Sequence, residues 1–327
     1  MEVTASAPAK VILFGEHFVV YGKPAIVMAI NKRVYVKAKP RNDRKIYINS
    51  LNLNASGFFE NGKFTPETGG SKAKAKLEPV KAVVEKIFQL VEGKSGLEIE
   101  IDSKIPVAAG LGSSAAVAAA TAKAISALFG VEIEKDEIFK IAYEAEKLVH
   151  GTPSGIDPAI ATYGGTIIFQ KNMGIKPFTV KCEIPLVIGD TGLKRSTGEL
   201  VAKVRMNKEK YPSIMNPIIE AGGEIVERAR KALEKGEPEV LGELMNLNHS
   251  LLSAVGVSHE LLDRLVAAAR RAGAYGAKLT GAGGGGCMIA LANREMLERV
   301  ASAIRDAGGT AFIAEKSNEG VRIESKH

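Results

Sequence analysis

The chain has 327 residues, enough to bury a substantial core and to form one or two domains, of which we expect two. Hydrophobic residues make up 46% and charged residues 25%, which indicates a folded globular protein and excludes a disordered one. The formal net charge is +7, but basic and acidic residues are interspersed and aromatic residues make up only 6%. We therefore expect no nucleic-acid partner.

Cysteine usage and the N-terminus predict a cytoplasmic protein. Cys182 and Cys287 are far apart and form no CxxC pattern, which argues against a disulfide framework and against a structural zinc site. The first residues lack the basic start and the long apolar core of a secretory signal. Polar residues interrupt the apolar stretch Val107 to Val131, so we interpret it as a buried helix and expect no membrane partner.

Alternating apolar residues predict that the first hundred residues are rich in strands. The predicted strands are Lys10 to Phe14, Val34 to Ala38, Ile46 to Asn49 and Leu97 to Ile101. The segment Asn54 to Lys76 is rich in Gly, Ser, Thr, Lys and Asn and has little periodicity. It predicts a mobile flap or an insertion.

From Ser113 onwards, the spacing of apolar residues becomes helical. The predicted helices are Ser113 to Leu128, Lys135 to His150, Asn216 to Lys235, Pro238 to Leu252, Ser258 to Ala272 and Arg294 to Ala307. Strands are predicted at Thr166 to Phe169, Leu186 to Gly189, Gly286 to Leu291, Thr310 to Ala314 and Val321 to Glu324. The mixture predicts an α+β fold, and a composition break near residues 182–185 predicts two domains, 1–184 and 185–327.

Three glycine-rich segments are candidate phosphate sites. Gly57 to Lys63 (GFFENGK) matches the start of a Walker A loop, but Phe64 stands where Ser or Thr would bind magnesium. Gly110 to Ala115 (GLGSSA) fits a loose dinucleotide fingerprint, but a second helix follows where a Rossmann unit requires a strand. Gly281 to Gly286 (GAGGGG) leads into a strand, which leaves either a strained hairpin turn or a site of close backbone approach.

The segment Pro106 to Ala116 (PVAAGLGSSAA) remains the best candidate for binding phosphate. It opens a helix, and the first amides of a helix lack internal partners and carry partial positive charge. Gly110 and Gly112 permit close backbone approach. The hydroxyl of Ser113 or Ser114 would either cap the helix or bind magnesium. The alternative is an ordinary helix cap in which the glycines serve packing.

Six segments of the chain carry a family pattern. They are PAKVILFGEHFVVYGKPA (8–25), PVAAGLGSSAAVAAA (106–120), EKLVHGTPSGIDPAIATYGG (146–165), DTGLKRSTGELVAKV (190–204), MNLNHSLLSAVGVS (245–258) and KLTGAGGGGCMIAL (278–291). Their order and wording resemble the GHMP small-molecule kinase superfamily and, within it, the mevalonate kinases. The resemblance implies an enzyme that uses ATP and Mg²⁺ to phosphorylate the C5 hydroxyl of (R)-mevalonate. It also implies a homodimer whose subunit has an N-terminal α/β domain with a left-handed βαβ crossover and a C-terminal ferredoxin-like domain.

The resemblance further implies roles for individual residues. ATP would bind to the central loop, that is, to Pro106, Val107, Ala108, Ala109, Gly110, Leu111, Gly112, Ser113, Ser114, Ala115 and Ala116. Magnesium would bind to Ser114 and Glu146, although Glu146 taken alone is more typical of a solvated helix acid. Mevalonate would contact Glu16, His17, Asp157, Arg195 and Thr197.

Asp157 and Lys10 are the predicted catalytic residues. The resemblance implies that Asp157 orients the mevalonate hydroxyl and accepts its proton, although a helix cap is the alternative. Lys10 interrupts an apolar run, and an inward-facing charge needs a partner, for which we propose Asp157. His249 and His259 lack the spacing of a metal site, so we expect them to form structural hydrogen bonds.

Two other functions remain open. One is a different kinase of the same superfamily, acting on phosphomevalonate, homoserine or a sugar. The other is a catalytically silent relative that senses a ligand. A silent relative should have lost Lys10, Glu146 or Asp157, and all three are present.

Overall fold

The computed structural model describes residues 1–91, 95–106, 110–151, 153–194 and 196–327. Thirteen strands lie in these residues: β1 (Val3–Phe14), β2 (Ala25–Arg41), β3 (Ile46–Ser50), β4 (Ala55–Glu60), β5 (Lys63–Thr68), β6 (Gly96–Ser103), β7 (Thr166–Gln170), β8 (Gly174–Phe178), β9 (Leu186–Asp190), β10 (Gly276–Leu279), β11 (Cys287–Leu291), β12 (Thr310–Ala314) and β13 (Arg322–Lys326).

The same residues form nine α-helices: α1 (Ala73–Phe88), α2 (Ser113–Leu128), α3 (Lys135–His150), α4 (Ile156–Tyr163), α5 (Thr197–Lys210), α6 (Pro212–Lys235), α7 (Pro238–Ala254), α8 (Glu260–Arg271) and α9 (Leu297–Asp306). α2 and α3 begin and end at the predicted residues. The predicted strands and the remaining predicted helices are also present, most with ends shifted by a few residues, but β1 and β2 begin well before the predicted Lys10 and Val34. The sequence did not predict α1 or α5.

The larger sheet is built around the long strand β2. In the described part of the chain its order is β13-β1-β2-β6-β3-β4-β5, with β7 and β8 added beside the first half of β2. β1 pairs with β2 along most of its length, whereas β6 pairs with the second half of β2. β3 and β6 run parallel, and the other pairs are antiparallel. The predicted left-handed crossover stays a prediction.

The helix α2 lies at the centre of the larger domain. It packs on β1 and β2 and is surrounded by α1, α3 and α4. Its alanines are buried, so the backbone of the helix approaches the sheet closely, as expected for a helix that is apolar all round. This confirms the predicted buried helix. No helix in the described residues has the length and apolarity needed to cross a membrane.

The segment Asn54 to Lys76 has regular secondary structure, which the sequence did not predict, and its role as a mobile flap or an insertion stays a prediction. It forms the β4–β5 hairpin, a short turn and the start of α1. Asn61 and Gly62 have φ angles of 50° and 76° in a tight hairpin turn, so the accidental Walker A match lies in a hairpin. The strand signal was weak because β5 is an exposed edge strand, and only an edge strand tolerates its Pro66.

The smaller sheet has the order β10-β11-β9-β12. All of its pairs are antiparallel, and α8 and α9 pack on it. The βαββαβ succession of β9, α8, β10, β11, α9 and β12 is that of a ferredoxin-like domain, as predicted. The domain division at residues 184 and 185 stays a prediction, and β13 does not follow it, because β13 returns to pair with β1 in the larger sheet.

Candidate active site

The free edge of β1 brings two glycine-rich segments together. β13 covers only residues Val3 to Ser6 of this edge. Beyond them, the amide of Lys10 donates to Leu111 O at 2.9 Å, which attaches the loop before α2. Two residues further on, Ile12 N donates to Thr280 Oγ1 at 3.1 Å and Ile12 O accepts from the same hydroxyl at 2.9 Å. β1 therefore holds the loop before α2 and the last glycine motif, Gly281 to Gly286, side by side.

The side chain of Lys10 forms an ion pair with Asp157. Lys10 Nζ lies 3.2 Å from Asp157 Oδ1, and the two side chains are 9% and 32% exposed. This confirms the predicted pairing. Asp157 lies in the first turn of α4, where negative charge is favoured. Asp157 is one-third exposed, so solvent screens part of the attraction, whereas the buried Lys10 requires a counter-charge.

Gly112 joins this pair to the phosphate loop. It is the N-cap residue of α2 and has a φ angle of 75°. A Cβ atom at this position would lie 2.9 Å from Lys10 Cγ and 3.6 Å from Asp157 Cγ. The lysine side chain therefore crosses directly over the glycine. A phosphate group bound at the start of α2 would lie beside both charged groups.

We predict that Gly112→Ala lowers kcat by about tenfold or more, because a catalytic group displaced by about 1 Å costs up to about a hundredfold. The new methyl group would push Lys10 aside. The matched control is Gly130→Ala near the other end of α2, where φ is 67° and no atom lies within 4 Å of the added Cβ. Both variants carry the left-handed backbone strain of about 1–2 kcal/mol. Steady-state kinetics and thermal unfolding of the two variants make the comparison, and equal activities would contradict the prediction.

The predicted phosphate loop is partly described. Gly112 occupies the N-cap position, so neither Ser113 nor Ser114 is the cap residue of α2. Leu111, Ala115 and Ala116 are buried packing residues, whereas Gly110 and Ser114 are exposed. Pro106 is half-buried, and Val107, Ala108 and Ala109 lie outside the described residues.

A pocket of about 260 Å³ lies next to the start of α2. Ser113 and Ser114 form one end of it, and mainly apolar side chains of α1, α2 and α3 form its walls. Asn52 forms part of the rim and pairs its amide with the backbone of Ser103 at 2.8 Å. A concave, apolar site with a few polar groups is typical of small-molecule binding.

Glu146 is 3% exposed, so the interpretation as a solvated helix acid was wrong. It lies on α3, between Ala145 and the C-terminal turn that contributes Val149 to the pocket beside Ser114. Within the described ranges, no group of three His, Cys, Asp or Glu side chains could hold a metal. A hydroxyl and a carboxylate are ligand types that Mg²⁺ accepts beside water and phosphate oxygens.

Glu16 and His17 follow β1 and are both buried. The side chain of Glu16 is 0% exposed and forms an ion pair with Lys278 of β10. Its second oxygen accepts from Asn248 Nδ2 at 3.0 Å. Glu16 is thus engaged in the interior, and the geometry does not present it to a substrate as the sequence predicted. His17 Nε2 donates to Ala282 O at 2.8 Å, at the start of the last glycine motif.

The last glycine motif connects β10 to β11, which confirms the hairpin turn. Its loop packs against the segment that follows β9, since Gly286 O accepts from Thr191 N at 3.0 Å and a Cβ on Gly285 would lie 2.8 Å from Leu193 Cβ. That segment leads to Thr197, the exposed first residue of α5. Arg195 lies outside the described residues.

His249 and His259 form structural hydrogen bonds, as predicted. His259 Nδ1 accepts from Leu261 N at 3.1 Å and caps α8. His249 Nδ1 accepts from Leu279 N at 3.3 Å, and its Nε2 donates to Asp263 Oδ1 at 3.1 Å. Burial, aided by the charges of Arg270 and Lys278, lowers the pKa of His249 to about 4 although Asp263 opposes this. His249 is therefore neutral at pH 7.

Sequence reasoning missed Lys278, Thr280 and Asn248, which tie the last glycine motif and α7 to the segment after β1. One signal was available for Lys278. It stands in the short apolar strand GAKL, as Lys10 stands in an apolar run, and both lysines are buried. No local signal distinguishes Asn248, because its partner Glu16 is far away in the sequence.

Comparisons with known proteins agree with this arrangement. The model of the GHMP kinases N terminal domain matches residues 78–165, and the GHMP kinases C terminal model matches residues 229–310. A mevalonate kinase of Thermococcus sibiricus is 48% identical over 332 residues, covering 99% of both chains.

Solved structures show the same likeness. The mevalonate kinase of Methanococcus jannaschii has a TM-score of 0.81 and 31% identity, covering 97% of this chain and 98% of its own. The mevalonate kinase of L. major, solved in complex with R-mevalonate, has a TM-score of 0.83 and 29% identity, covering 95% of both chains. The chain therefore belongs to the mevalonate kinase family of the GHMP kinases.

Proposed function

We propose that the protein transfers the γ-phosphoryl group of ATP to the C5 hydroxyl of (R)-mevalonate, which yields 5-phosphomevalonate and ADP. The observation that carries this proposal is the Lys10–Asp157 pair held over Gly112 at the start of α2. In our proposal, this pair supplies a cation and a proton acceptor beside the expected phosphate position. The L. major relative, whose structure contains R-mevalonate, supports the choice of acceptor.

The reaction requires alignment and charge stabilisation more than covalent chemistry. In our proposal, Asp157 orients the C5 hydroxyl and accepts its proton as the oxygen attacks the γ-phosphorus. The new bond joins this oxygen to phosphorus, and the bond from phosphorus to the β–γ bridging oxygen breaks, so that ADP leaves with the electron pair. The Lys10 ammonium stabilises the developing alkoxide and the negative charge of the transferring group.

The start of α2 and the adjacent pocket suit ATP. The unpaired amides of the first helical turn favour the phosphates. The pocket beside Ser113 and Ser114, with its apolar walls from α1, fits the nucleoside. The loop before α2, from Pro106 onwards, is the proposed cover of the triphosphate.

Ser114 and Glu146 would hold Mg²⁺, since the hydroxyl is exposed at the pocket and the carboxylate lies on the neighbouring helix. When bound, the ion would neutralise phosphate charge. Neither residue takes the hydroxyl proton, because that task belongs to Asp157.

Recognition of mevalonate is assigned to His17, Arg195 and Thr197. A guanidinium binds a carboxylate through two parallel hydrogen bonds, which suits Arg195 to the mevalonate carboxylate. Glu16 lies in the interior and supports these three residues from there. The cytoplasmic location stays a prediction from cysteine usage and the N-terminus, and the homodimer stays a prediction from the family resemblance.

The test is a panel of acceptors offered to the purified protein with ATP and Mg²⁺, with release of ADP as the readout. We expect kcat/KM for (R)-mevalonate to exceed that for phosphomevalonate, homoserine and galactose by about a hundredfold or more, as sites built for one polar substrate do. Turnover of another acceptor in its place would assign a different kinase. Binding of mevalonate without turnover of any acceptor would indicate a silent ligand sensor.

A further inference from the structure

A buried ion pair joins the two parts of the chain near the active site. Lys278 of β10 and Glu16 after β1 are paired, and both side chains are 0% exposed. Lys278 Nζ also donates to Leu279 O at 2.8 Å, and Asn248 of α7 donates to Glu16. The pair therefore connects three distant segments of the sequence at one point.

Stability does not account for such a pair. Removing two charges from water carries a desolvation penalty that their attraction often does not exceed, and apolar residues of similar volume are often as stable or more so. Burial lowers the pKa of Lys278, and the Glu16 carboxylate opposes that shift. A buried ion pair that is costly to desolvate indicates that this position requires a specific geometry.

The neighbouring contacts show which part of the structure the Lys278–Glu16 pair positions. The segment after β1 and the segment 278–282 run alongside each other. Thr280 bonds both backbone groups of Ile12, and His17 donates to Ala282 O. The ion pair is therefore one of three cross-connections between residues 12–17 and residues 278–282, which lead into the last glycine motif.

The last glycine motif connects the Lys278–Glu16 pair to α5, on the side of the site where we expect the acceptor substrate. Gly284 N donates to Val257 O at 2.8 Å, and a Cβ on Gly284 would lie 2.9 Å from Leu200 Cδ1 of α5. α5 begins with Thr197. The start of α2 is attached to β1 separately, through the hydrogen bond from Lys10 N to Leu111 O.

We propose that Lys278 is a positioning residue for the acceptor substrate. Lys278 acts through Glu16. It keeps His17 and the glycine loop 281–286 in a fixed position relative to each other. The loop in turn supports the start of α5. The identity of the acceptor rests on the proposed function. Lys278 does not touch the substrate in this proposal, because its side chain is fully enclosed.

The test compares three variants at a temperature below their unfolding transitions. Lys278→Met removes the charge with little change in volume but leaves Glu16 buried without its partner. The double variant Lys278→Met with Glu16→Gln removes both charges and is expected to fold more stably than the single variant. The control is Leu297→Ala, a buried residue of α9, a helix that packs on β9 and β12 away from the glycine loop.

We expect the two Lys278 variants to raise KM for mevalonate by about tenfold or more, while KM for ATP changes by less than about twofold. The double variant should keep the raised KM even though its Tm recovers. Leu297→Ala should lower Tm and leave both KM values unchanged. If Lys278→Met fails to fold, the double variant decides the question.

Wild-type values of both KM constants in the folded double variant would overturn the proposal and leave Lys278 a structural role. An equal rise of KM for ATP and for mevalonate would overturn it as well. Wild-type turnover of mevalonate is measured first. Its absence would refute the proposed function, whereas a failure limited to the variants would refute only the role of Lys278.

Discussion

Asp157→Asn is expected to lower kcat for mevalonate phosphorylation by about a thousandfold, within the range of about 10²–10⁴ typical of a lost general base. The amide keeps the size of the carboxylate but cannot accept the hydroxyl proton, and it ends the ion pair with Lys10. The fold should persist, because asparagine fits the space of the carboxylate and the position is one-third exposed. Release of ADP measures the rate, and calorimetry measures Tm.

Asp136→Asn is the matched control for this variant. Asp136 also lies in the first turn of a helix, α3, and accepts a hydrogen bond from Tyr163 at 2.6 Å. It should keep the wild-type kcat. If Asp157→Asn retains more than about a tenth of the activity, proton acceptance by Asp157 does not limit the reaction.

Lys10→Met is expected to lower kcat by about a hundredfold to a thousandfold, the usual cost of removing one group that stabilises transition-state charge. Methionine keeps the apolar stem that crosses Gly112, so the packing there should change little. Lys23→Met is the control. It removes a lysine from an ion pair with Glu220, outside the site, and should leave kcat unchanged.

The double variant of Lys10 and Asp157 tests whether the pair acts as a unit. Residues that act together show strongly non-additive losses. We therefore expect the double variant to lose little more activity than Asp157→Asn alone. Fully additive losses in log kcat would show that the two side chains act independently, in spite of their contact.

Local patterns were sufficient for much of the fold. α2 and α3 were predicted to the residue because apolar residues keep helical spacing through both segments, with Gly112 before α2 and Gly151 after α3. The β4–β5 hairpin was missed because half of its residues are exposed, so burial imposes no alternation on them. α5 was missed for the same reason, since only Val204 in it is buried.

The same division between predictable and unpredictable features applies to the active site. The pairing of Lys10 with Asp157 was predictable because a charge within an apolar run requires a partner, and the family motif supplied one. The burial of Glu16 was not predictable. A motif shows that a carboxylate is needed at a position but not which way it faces, and Glu16 faces Lys278 and Asn248.

Residue type and spacing thus predicted most of the helices and the glycine turn before α2, because these depend on neighbours within a few positions along the chain, and the family resemblance supplied the set of charged groups. Only the tertiary structure determined which charged side chains are exposed to solvent and which form ion pairs with each other. The reason is physical: the contacts Lys10–Leu111, Ile12–Thr280 and Glu16–Lys278 form along one open edge of β1 and its extension, and that edge exists only after β2 has covered the other side.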